Sequence, residues 1–196
     1  MDEKHKARMA RKKEVVDSAI EKADRDKGLL LVLTGNGKGK SSSAFGMLAR
    51  TLGYGWKAGV AQFLKGRRDT GEEAFFCRQE GVTWEVLGDG FTWDTQDREK
   101  DIATAVRGWE VAKGMLSDPS LHLVILDELT YLLNYGYLEE ARVLADIAAR
   151  PPTQHVVVTG RAASENLMEM ADTVSEIRDL KHAFRSGIRA QPGIDL

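Results

Sequence analysis

The sequence has little of what disulfide frameworks and metal clusters are built from. It contains one cysteine, Cys77, and four histidines, so it can form neither an internal disulfide nor a cysteine-based zinc site. We expect Cys77 to be a small apolar residue buried in the core, as free cysteines commonly are. No Cys-His pair or Ser-His-acid set stands out as a nucleophile with its base.

Long apolar runs and an excess of one charge are also absent. No stretch approaches the roughly 18 apolar residues of a membrane-spanning helix, and the charged N-terminus lacks the apolar region of a secretory signal. The 28 basic and 30 acidic residues nearly cancel, so overall charge gives no argument for nucleic-acid binding. We therefore expect a cytoplasmic protein that binds neither membranes nor nucleic acids.

The 196 residues fit one domain preceded by a charged segment. In that segment, residues 1–27, four apolar side chains are spaced to share one helical face: Val16, Ala19, Ile20 and Ala23. We expect a partly mobile, solvated helix here, and a mobile cover for an anionic ligand is the alternative.

Apolar strands alternate with helical patterns over nearly all of the remaining chain. Strands are predicted at residues 29–33, 58–64, 82–87, 121–126, 156–159 and, at a sheet edge, 174–180. Helices are predicted at residues 40–52, 97–116, 138–149 and 164–170. This alternation predicts an α/β fold with a mostly parallel central sheet of about six strands flanked by helices.

The clearest functional signal lies between the first predicted strand and the first predicted helix. Residues 34–41 read Thr-Gly-Asn-Gly-Lys-Gly-Lys-Ser, in the context of a phosphate-binding loop. Glycines let backbone N–H groups face a polyphosphate, and the following helix N-terminus favours an anion. Lys40 can reach the terminal phosphates, and the Ser41 hydroxyl can ligate Mg²⁺. The predicted nucleotide contacts are Gly35, Asn36, Gly37, Lys38, Gly39, Lys40, Ser41 and Ser42.

The loop departs from the common pattern G-x-x-x-x-G-K-[ST] at one position. Thr34 stands where the first glycine is usual, and Gly35 follows one residue later. The loop is therefore a variant, which leaves room for phosphates held in an altered order or direction.

A second part of the site is expected where other buried strands end. Asp127 and Glu128 follow the fourth predicted strand, where a carboxylate can hold Mg²⁺ or orient a water; a solvated strand end is the alternative. Arg161 follows the fifth strand on the same side of a parallel sheet, and a ligand contact and a surface arginine are equally open. For His182 we favour a packed or capping role over a place in the site.

Two aromatic residues, Phe91 and Trp93, stand in a predicted loop before the long helix. Exposing two large aromatic side chains in a loop is unfavourable. They either fold onto the core or form a hydrophobic wall for a large flat ligand.

Taken in order, these motifs resemble those of the CobA-type (BtuR-type) ATP:corrinoid adenosyltransferases. The resemblance runs from about residue 28 to the C-terminus. It rests on the phosphate loop and on residues 62–66, 90–93, 126–130, 159–161, 181–184 and 193–195.

The resemblance implies a RecA-like P-loop fold over residues 28–196, usually as a homodimer. It implies transfer of the 5′-deoxyadenosyl group of ATP to Co(I) of a corrinoid, such as cob(I)alamin or cob(I)yrinic acid a,c-diamide, in cobalamin biosynthesis or salvage. Triphosphate would be released, with Mg²⁺ or Mn²⁺ as the metal. The cobalt would be the nucleophile, which explains why no protein nucleophile stands out.

The resemblance also suggests residue roles. The pair matching Phe91 and Trp93 is thought to crowd the lower face of the corrin, leaving four-coordinate Co(II) that a flavoprotein such as flavodoxin can reduce. The N-terminal segment would cover the corrinoid site. The predicted roles are catalytic for Lys40, Phe91 and Trp93, nucleotide-binding for Glu128 and Arg161, and metal-binding for Ser41 and Asp127.

Two other functions share the phosphate loop. A small-molecule kinase would need an acceptor site and an arginine-bearing lid, for which Arg67 and Arg68 offer a single pair. A RecA-like ATPase acting on nucleic acid would need a basic stripe with interleaved aromatics, which is not evident in the sequence.

Overall fold

The computed structural model describes residues 2–64, 70–88 and 97–195. The strands in these ranges are β1 (Leu30–Thr34), β2 (Lys57–Gln62), β3 (Val82–Val86), β4 (Leu121–Asp127), β5 (His155–Thr159) and β6 (Thr173–Glu176). The helices are α1 (Asp2–Glu21), α2 (Lys40–Gly53), α3 (Gly71–Phe76), α4 (Arg98–Leu116), α5 (Leu129–Asn134), α6 (Glu140–Ala148) and α7 (Glu165–Met170). A 3-10 helix covers Ala183–Ser186.

The strands form one parallel sheet in the order β3-β2-β4-β5-β1-β6. Its central strands are apolar along most of their length because both faces of a parallel sheet are covered. In β4, Leu123 and Ile125 belong to one buried cluster, whereas Val124 and Leu126 belong to another. The predicted α/β class with a mostly parallel, six-stranded sheet is confirmed.

Helices pack on the two faces of this sheet. On one face, α2 supplies Phe45 and Leu48 to the buried cluster, and α3 supplies Phe76. On the other face, α4 supplies Trp109 and α6 supplies Ile147. Burial of such side chains stabilises the fold by about 25 cal/mol per Å² of apolar surface. The candidate site lies at the carboxyl ends of the strands.

Three short elements had no sequence prediction, and the edge strand ends well before its predicted end. The helices α3 and α5 have six residues each, too few to show a helical period; the third element is the 3-10 helix. The edge strand was predicted over residues 174–180, but β6 ends at Glu176. Beyond it the chain turns over the phosphate loop, where the Gly37 N–H donates to the Ile177 carbonyl.

The N-terminal helix α1 makes little contact with the sheet. Its described side chains are exposed except for half-buried Ser18, and the apolar Val15, Val16 and Ile20 are 46–64% exposed. No helix in the described ranges combines the length and apolar character that a membrane span requires.

The prediction for Cys77 is wrong. Cys77 follows α3 and is exposed. The neighbouring Phe76 is the residue that α3 turns into the core, at 7% exposure.

Candidate functional site

The phosphate loop connects β1 directly to α2. Gly35 and Gly39 have φ of +97° and +121°, values that residues with a side chain rarely adopt. The helix begins at Lys40, and the Ser43 N–H donates to the Gly39 carbonyl at 2.9 Å. The N-terminus of α2 therefore adjoins the loop, where the helix dipole favours a bound anion.

Thr34, which stands in place of the first glycine, has a structural role. Its side chain is buried, and its hydroxyl oxygen accepts a hydrogen bond from the Ala163 N–H at 3.1 Å. This bond ties the end of β1 to the loop that follows β5. The departure from the common pattern thus joins two neighbouring loops of the site.

The segment after β6 supports the phosphate loop from the other side. The Gly37 N–H donates to the Ile177 carbonyl at 2.7 Å, and the Asp179 N–H donates to Asn36 Oδ1 at 3.1 Å. A Cβ on Gly37 would lie 2.7 Å from the Arg178 carbonyl carbon. This close approach requires glycine at position 37, and the sequence alone showed no signal for it beyond the family motif.

The C-terminal residues also reach the loop. Lys38 Nζ lies 2.7 Å from Asp195 Oδ1, and both side chains are partly exposed. This contact lowers the pKa of Asp195, together with a hydrogen bond from the Gln191 N–H. Lys38 therefore contacts the C-terminal segment, whereas Lys40 contacts the phosphate loop itself.

Lys40 is the buried cation of the site. It is 7% exposed, and its Nζ donates to the Gly37 carbonyl at 2.7 Å. Burial lowers the pKa of Lys40; the charges of Glu128 and Asp127 oppose this shift, and the charge of Arg161 adds to it. The phosphate loop and the three charged residues predicted from other strand ends therefore lie near one another.

The two predicted acids have different surroundings. Asp127 is fully buried; its Oδ1 accepts from the Thr159 hydroxyl at 2.7 Å and its Oδ2 from Gln62 Nε2 at 2.9 Å. Glu128 has left-handed backbone angles, φ 62° and ψ 23°, which cost about 1–3 kcal/mol and persist only where surrounding contacts offset that cost. The Glu128 N–H donates to the Thr159 hydroxyl oxygen at 2.9 Å.

The end of β5 is held by α5. The Thr130 hydroxyl and the Asn134 side-chain amide donate to the Arg161 carbonyl at 2.7 and 3.0 Å. A Cβ on Gly160 would lie 2.0 Å from the Thr130 hydroxyl oxygen. The Arg161 side chain is exposed, at the edge of the site, so its backbone is anchored while its guanidinium faces solvent.

Most of the predicted site residues therefore gather at the carboxyl ends of β1, β4 and β5, where parallel α/β sheets bind ligands. Ser41 and Ser42 lie in the first turn of α2, half-buried and exposed respectively. Phe91 and Trp93 lie outside the described residues, as do Arg67 and Arg68.

His182 precedes the 3-10 helix in the C-terminal segment. Its Nδ1 accepts a hydrogen bond from the Phe184 N–H at 3.2 Å and caps the 3-10 helix. The interpretation of His182 as a capping histidine is confirmed.

The oxygen donors fit a divalent cation that arrives with phosphates. No three His, Cys, Asp or Glu side chains converge on one point within the described ranges. Ser41, Asp127 and Glu128 supply hydroxyl and carboxylate oxygens, the hard ligands that Mg²⁺ takes, and Mg²⁺ usually completes its shell with water and substrate phosphates.

This arrangement of loop, buried lysine and acidic strand end is shared by proteins that bind nucleoside triphosphates through a P-loop. Within that class, sequence comparison identifies the family. The sequence model of ATP:corrinoid adenosyltransferase BtuR/CobO/CobP matches residues 26–196, and that of the cob(I)alamin adenosyltransferase N-terminal region matches residues 1–20. The chain belongs to the ATP:corrinoid adenosyltransferase family, as the sequence motifs predicted.

Similar proteins cover nearly the whole chain. A corrinoid adenosyltransferase of Pseudomonas aeruginosa is 59% identical over 99% of this chain and 96% of its own length. A corrinoid adenosyltransferase of Escherichia coli K12 is 47% identical, with 99% and 98% covered. The corrinoid adenosyltransferase CobA of Salmonella typhimurium is 45% identical, with the same coverage.

Proposed function

We infer that this chain acts as its family name describes and adenosylates a corrinoid with ATP. The observation that carries this function is the buried Lys40 next to the phosphate loop, in a chain that matches the family over residues 26–196. Near Lys40 lie the charges of Asp127, Glu128 and Arg161. Such a site suits a polyphosphate with an accompanying cation.

In the proposed reaction, Co(I) of the corrinoid attacks the 5′ carbon of ATP with its electron pair. The bond from that carbon to the triphosphate oxygen breaks, and triphosphate leaves with the bonding electrons. Because the cobalt is the nucleophile, the protein contributes position and electrostatic stabilisation. The Lys40 ammonium and the N–H groups of residues 35–42 stabilise the leaving triphosphate, except that of Gly37, which donates to the Ile177 carbonyl.

We propose that Mg²⁺ or Mn²⁺ enters with ATP and that Ser41 and Asp127 hold it. Each oxygen of Asp127 accepts one hydrogen bond and keeps a lone pair for the ion. The metal supplies positive charge that neutralises the triphosphate. Glu128 and Arg161 bind the nucleotide.

Residues 1–27 are proposed to form a partly mobile segment that covers the corrinoid, and residues 28–196 the P-loop domain. The separate family match of residues 1–20 supports this division. The protein is proposed to act as a homodimer in the cytoplasm. Apolar side chains are exposed in α1 and near the C-terminus, where Leu180 and Phe184 are 91% and 75% exposed. These side chains could contact a second subunit, which supports the proposed dimer.

We propose that Phe91 and Trp93 contact the lower face of the corrinoid. The proposal rests on the family motif at residues 90–93. By crowding that face they would favour four-coordinate Co(II). A reduced flavoprotein such as flavodoxin would then deliver the electron that produces Co(I).

The activity is tested by mixing the protein with MgATP and chemically reduced cob(I)alamin without oxygen. We expect loss of the Co(I) absorption band, a light-sensitive alkylcobalamin and stoichiometric triphosphate. An unchanged corrinoid, with ADP formed once another acceptor is added, would contradict the proposal and favour a small-molecule kinase.

The aromatic pair is tested by replacing Phe91 and Trp93 together with alanine. The variant should react normally with pre-reduced Co(I) but slowly when the reaction starts from Co(II) and reduced flavodoxin. Equal losses in the two assays would show that the pair is structural.

A further inference from the structure

A row of hydrogen bonds, here called the polar chain, crosses four neighbouring strands near the carboxyl end of the sheet. Trp84 Nε1 donates to Gln62 Oε1 at 3.1 Å, and Gln62 Nε2 donates to Asp127 Oδ2 at 2.9 Å. From the other side, the Thr159 hydroxyl donates to Asp127 Oδ1 at 2.7 Å and accepts from the Glu128 N–H at 2.9 Å. The side chains come from β3, β2, β4 and β5, which are consecutive in the sheet.

The direction of every hydrogen bond in the polar chain is determined. Indole Nε1 is only a donor, so the Gln62 amide must turn its oxygen to Trp84 and its nitrogen to Asp127. The Thr159 hydroxyl accepts from a main-chain N–H, so its single proton goes to the carboxylate. Two donors therefore converge on Asp127 from opposite sides and leave its side chain one orientation.

The centre of the polar chain is shielded from water. Gln62, Asp127 and Thr159 are at most 1% exposed, and Gln62 and Asp127 are direct partners in the register of β2 and β4. Because water cannot replace a lost donor at such a site, a buried carboxylate oxygen without its partner is strongly unfavourable.

Thr159 also stabilises the backbone conformation of Glu128. The residue after Asp127 takes left-handed angles, which non-glycine residues adopt only when neighbouring groups hold them. The Thr159 hydroxyl oxygen accepts the N–H of this residue. The same hydroxyl thus orients one acid and holds the turn that brings the charge of the second acid near Lys40.

We propose that Gln62 and Thr159 are positioning residues for adenosyl transfer. They act through the two acids: Gln62 and Thr159 set the orientation of Asp127, and Thr159 sets the backbone turn of Glu128. The inference rests on the proposed roles of these acids at the metal and the nucleotide. It assigns a function to two motif residues that the phosphate loop does not explain.

Thr159→Val is the principal test because it removes the hydroxyl and keeps the shape. With pre-reduced cob(I)alamin we expect kcat to fall about tenfold or more. The Mg²⁺ concentration for half-maximal activity should rise, and the KM for cob(I)alamin should stay unchanged. Thr159→Ser retains the hydroxyl and should recover most of kcat. Thr173→Val, at an exposed position of β6, is the matched control and should behave as wild type.

A second pair of variants tests the hydrogen bonds that reach Asp127 from Gln62 and Trp84. Gln62→Leu removes the second donor to Asp127, and Trp84→Phe keeps an aromatic ring but removes the N–H that donates to the Gln62 amide oxygen. The kinetic losses should decrease from Thr159→Val through Gln62→Leu to Trp84→Phe, because Thr159 bonds to both acids, Gln62 to Asp127 alone and Trp84 to neither. If Thr159→Val does not fold, Gln62→Leu decides: a several-fold higher Mg²⁺ requirement supports the inference, and wild-type kinetics overturn it.

Thermal melting and two further variants separate the alternatives. If Thr159→Val lowers only the melting temperature, or Thr159→Ser fails to recover kcat, the polar chain is structural and the inference is wrong. Asp127→Asn and Glu128→Gln are assayed in parallel. Full activity in both would overturn the proposed roles of the acids and, with them, the inference; impaired activity alongside a silent Thr159→Val would overturn the inference alone.

Discussion

The two ends of the parallel sheet both bury polar side chains, but these side chains contact different groups. At the carboxyl end, Gln62, Asp127 and Thr159 bond to one another. At the amino end, buried Gln154 places Nε2 within hydrogen-bond distance of three main-chain carbonyls, those of Met115, Asp118 and Leu121, at 3.2, 3.0 and 3.2 Å.

Other polar side chains at the amino end also bond to main-chain groups. The Arg150 guanidinium donates to main-chain carbonyls at 2.9–3.0 Å. His155 Nδ1 accepts from the Leu29 N–H, and Asp172 Oδ2 accepts from the Leu30 N–H. Such contacts satisfy main-chain groups that turns leave unpaired. The polar side chains at the amino end therefore bond to the main chain, whereas Gln62 and Thr159 at the carboxyl end bond to the Asp127 carboxylate.

The largest expected effect is at the carboxyl end. Lys40→Ala removes the buried ammonium and should weaken ATP binding by about a hundredfold or more, roughly 3 kcal/mol, since hydrogen bonds to charged groups are strong. Isothermal titration with MgATP measures this, and circular dichroism checks the fold. Lys57→Ala, an exposed lysine at the amino end, should bind ATP as wild type does. Unchanged affinity in Lys40→Ala would contradict the phosphate-loop assignment.

Two glycines, one at each end of the sheet, test the difference between the two ends. A Cβ on Gly160 would lie 2.0 Å from the Thr130 hydroxyl oxygen, and a Cβ on Gly28 would lie 2.1 Å from the Gln154 carbonyl oxygen. Replacing either glycine with alanine should lower the free energy of unfolding by about 1–3 kcal/mol through overpacking. Gly160 also has φ +143°, so its variant should be the less stable one.

The activities of the two glycine variants should differ. Gly160→Ala displaces Thr130, which holds the Arg161 carbonyl, and should raise the KM for ATP. Gly28→Ala should leave that KM unchanged. Steady-state kinetics below both melting temperatures measures this difference, and a raised KM for ATP in Gly28→Ala would break the distinction between the two ends.

Gln154→Leu tests the amino end by itself. It leaves buried carbonyls without a donor and should lower the free energy of unfolding by about 2 kcal/mol, while KM and kcat stay within about twofold of wild type. Urea denaturation measures the first quantity. Gln79→Leu, whose exposed amide donates to the Phe75 carbonyl, is the matched control and should change stability by less than about 0.5 kcal/mol.

The smallest expected effect is a pH dependence of stability. Burial lowers the pKa of His155, and the nearby Arg150 and His122 charges add to this. Since the folded pKa lies below the unfolded value, the contribution of His155 is complete above about pH 6.5 and is lost as the pH falls through the folded pKa. In urea titrations His155→Gln should reduce the loss of unfolding free energy below pH 6.5 by under about 1 kcal/mol.

Local patterns were sufficient to predict most of the fold. The apolar runs that become β1, β4 and β5 are continuous because both faces of these strands are buried, and each ends at a residue of the site. The glycines and the two lysines of residues 35–40 form a motif that is recognisable from the local sequence. The family resemblance added the roles of Phe91 and Trp93, which stay predictions because both residues lie outside the described ranges.

The sequence by itself determined the alternation of strands and helices, the phosphate loop and the acidic strand end, because these depend on spacing within a few residues. The tertiary structure alone decided that Gln62 and Thr159 meet Asp127 and that residues 177–179 support the loop, because strand order and register set contacts between residues far apart in the chain. It also decided the left-handed turn at Glu128, a strained conformation that local preference opposes and the neighbouring strand stabilises.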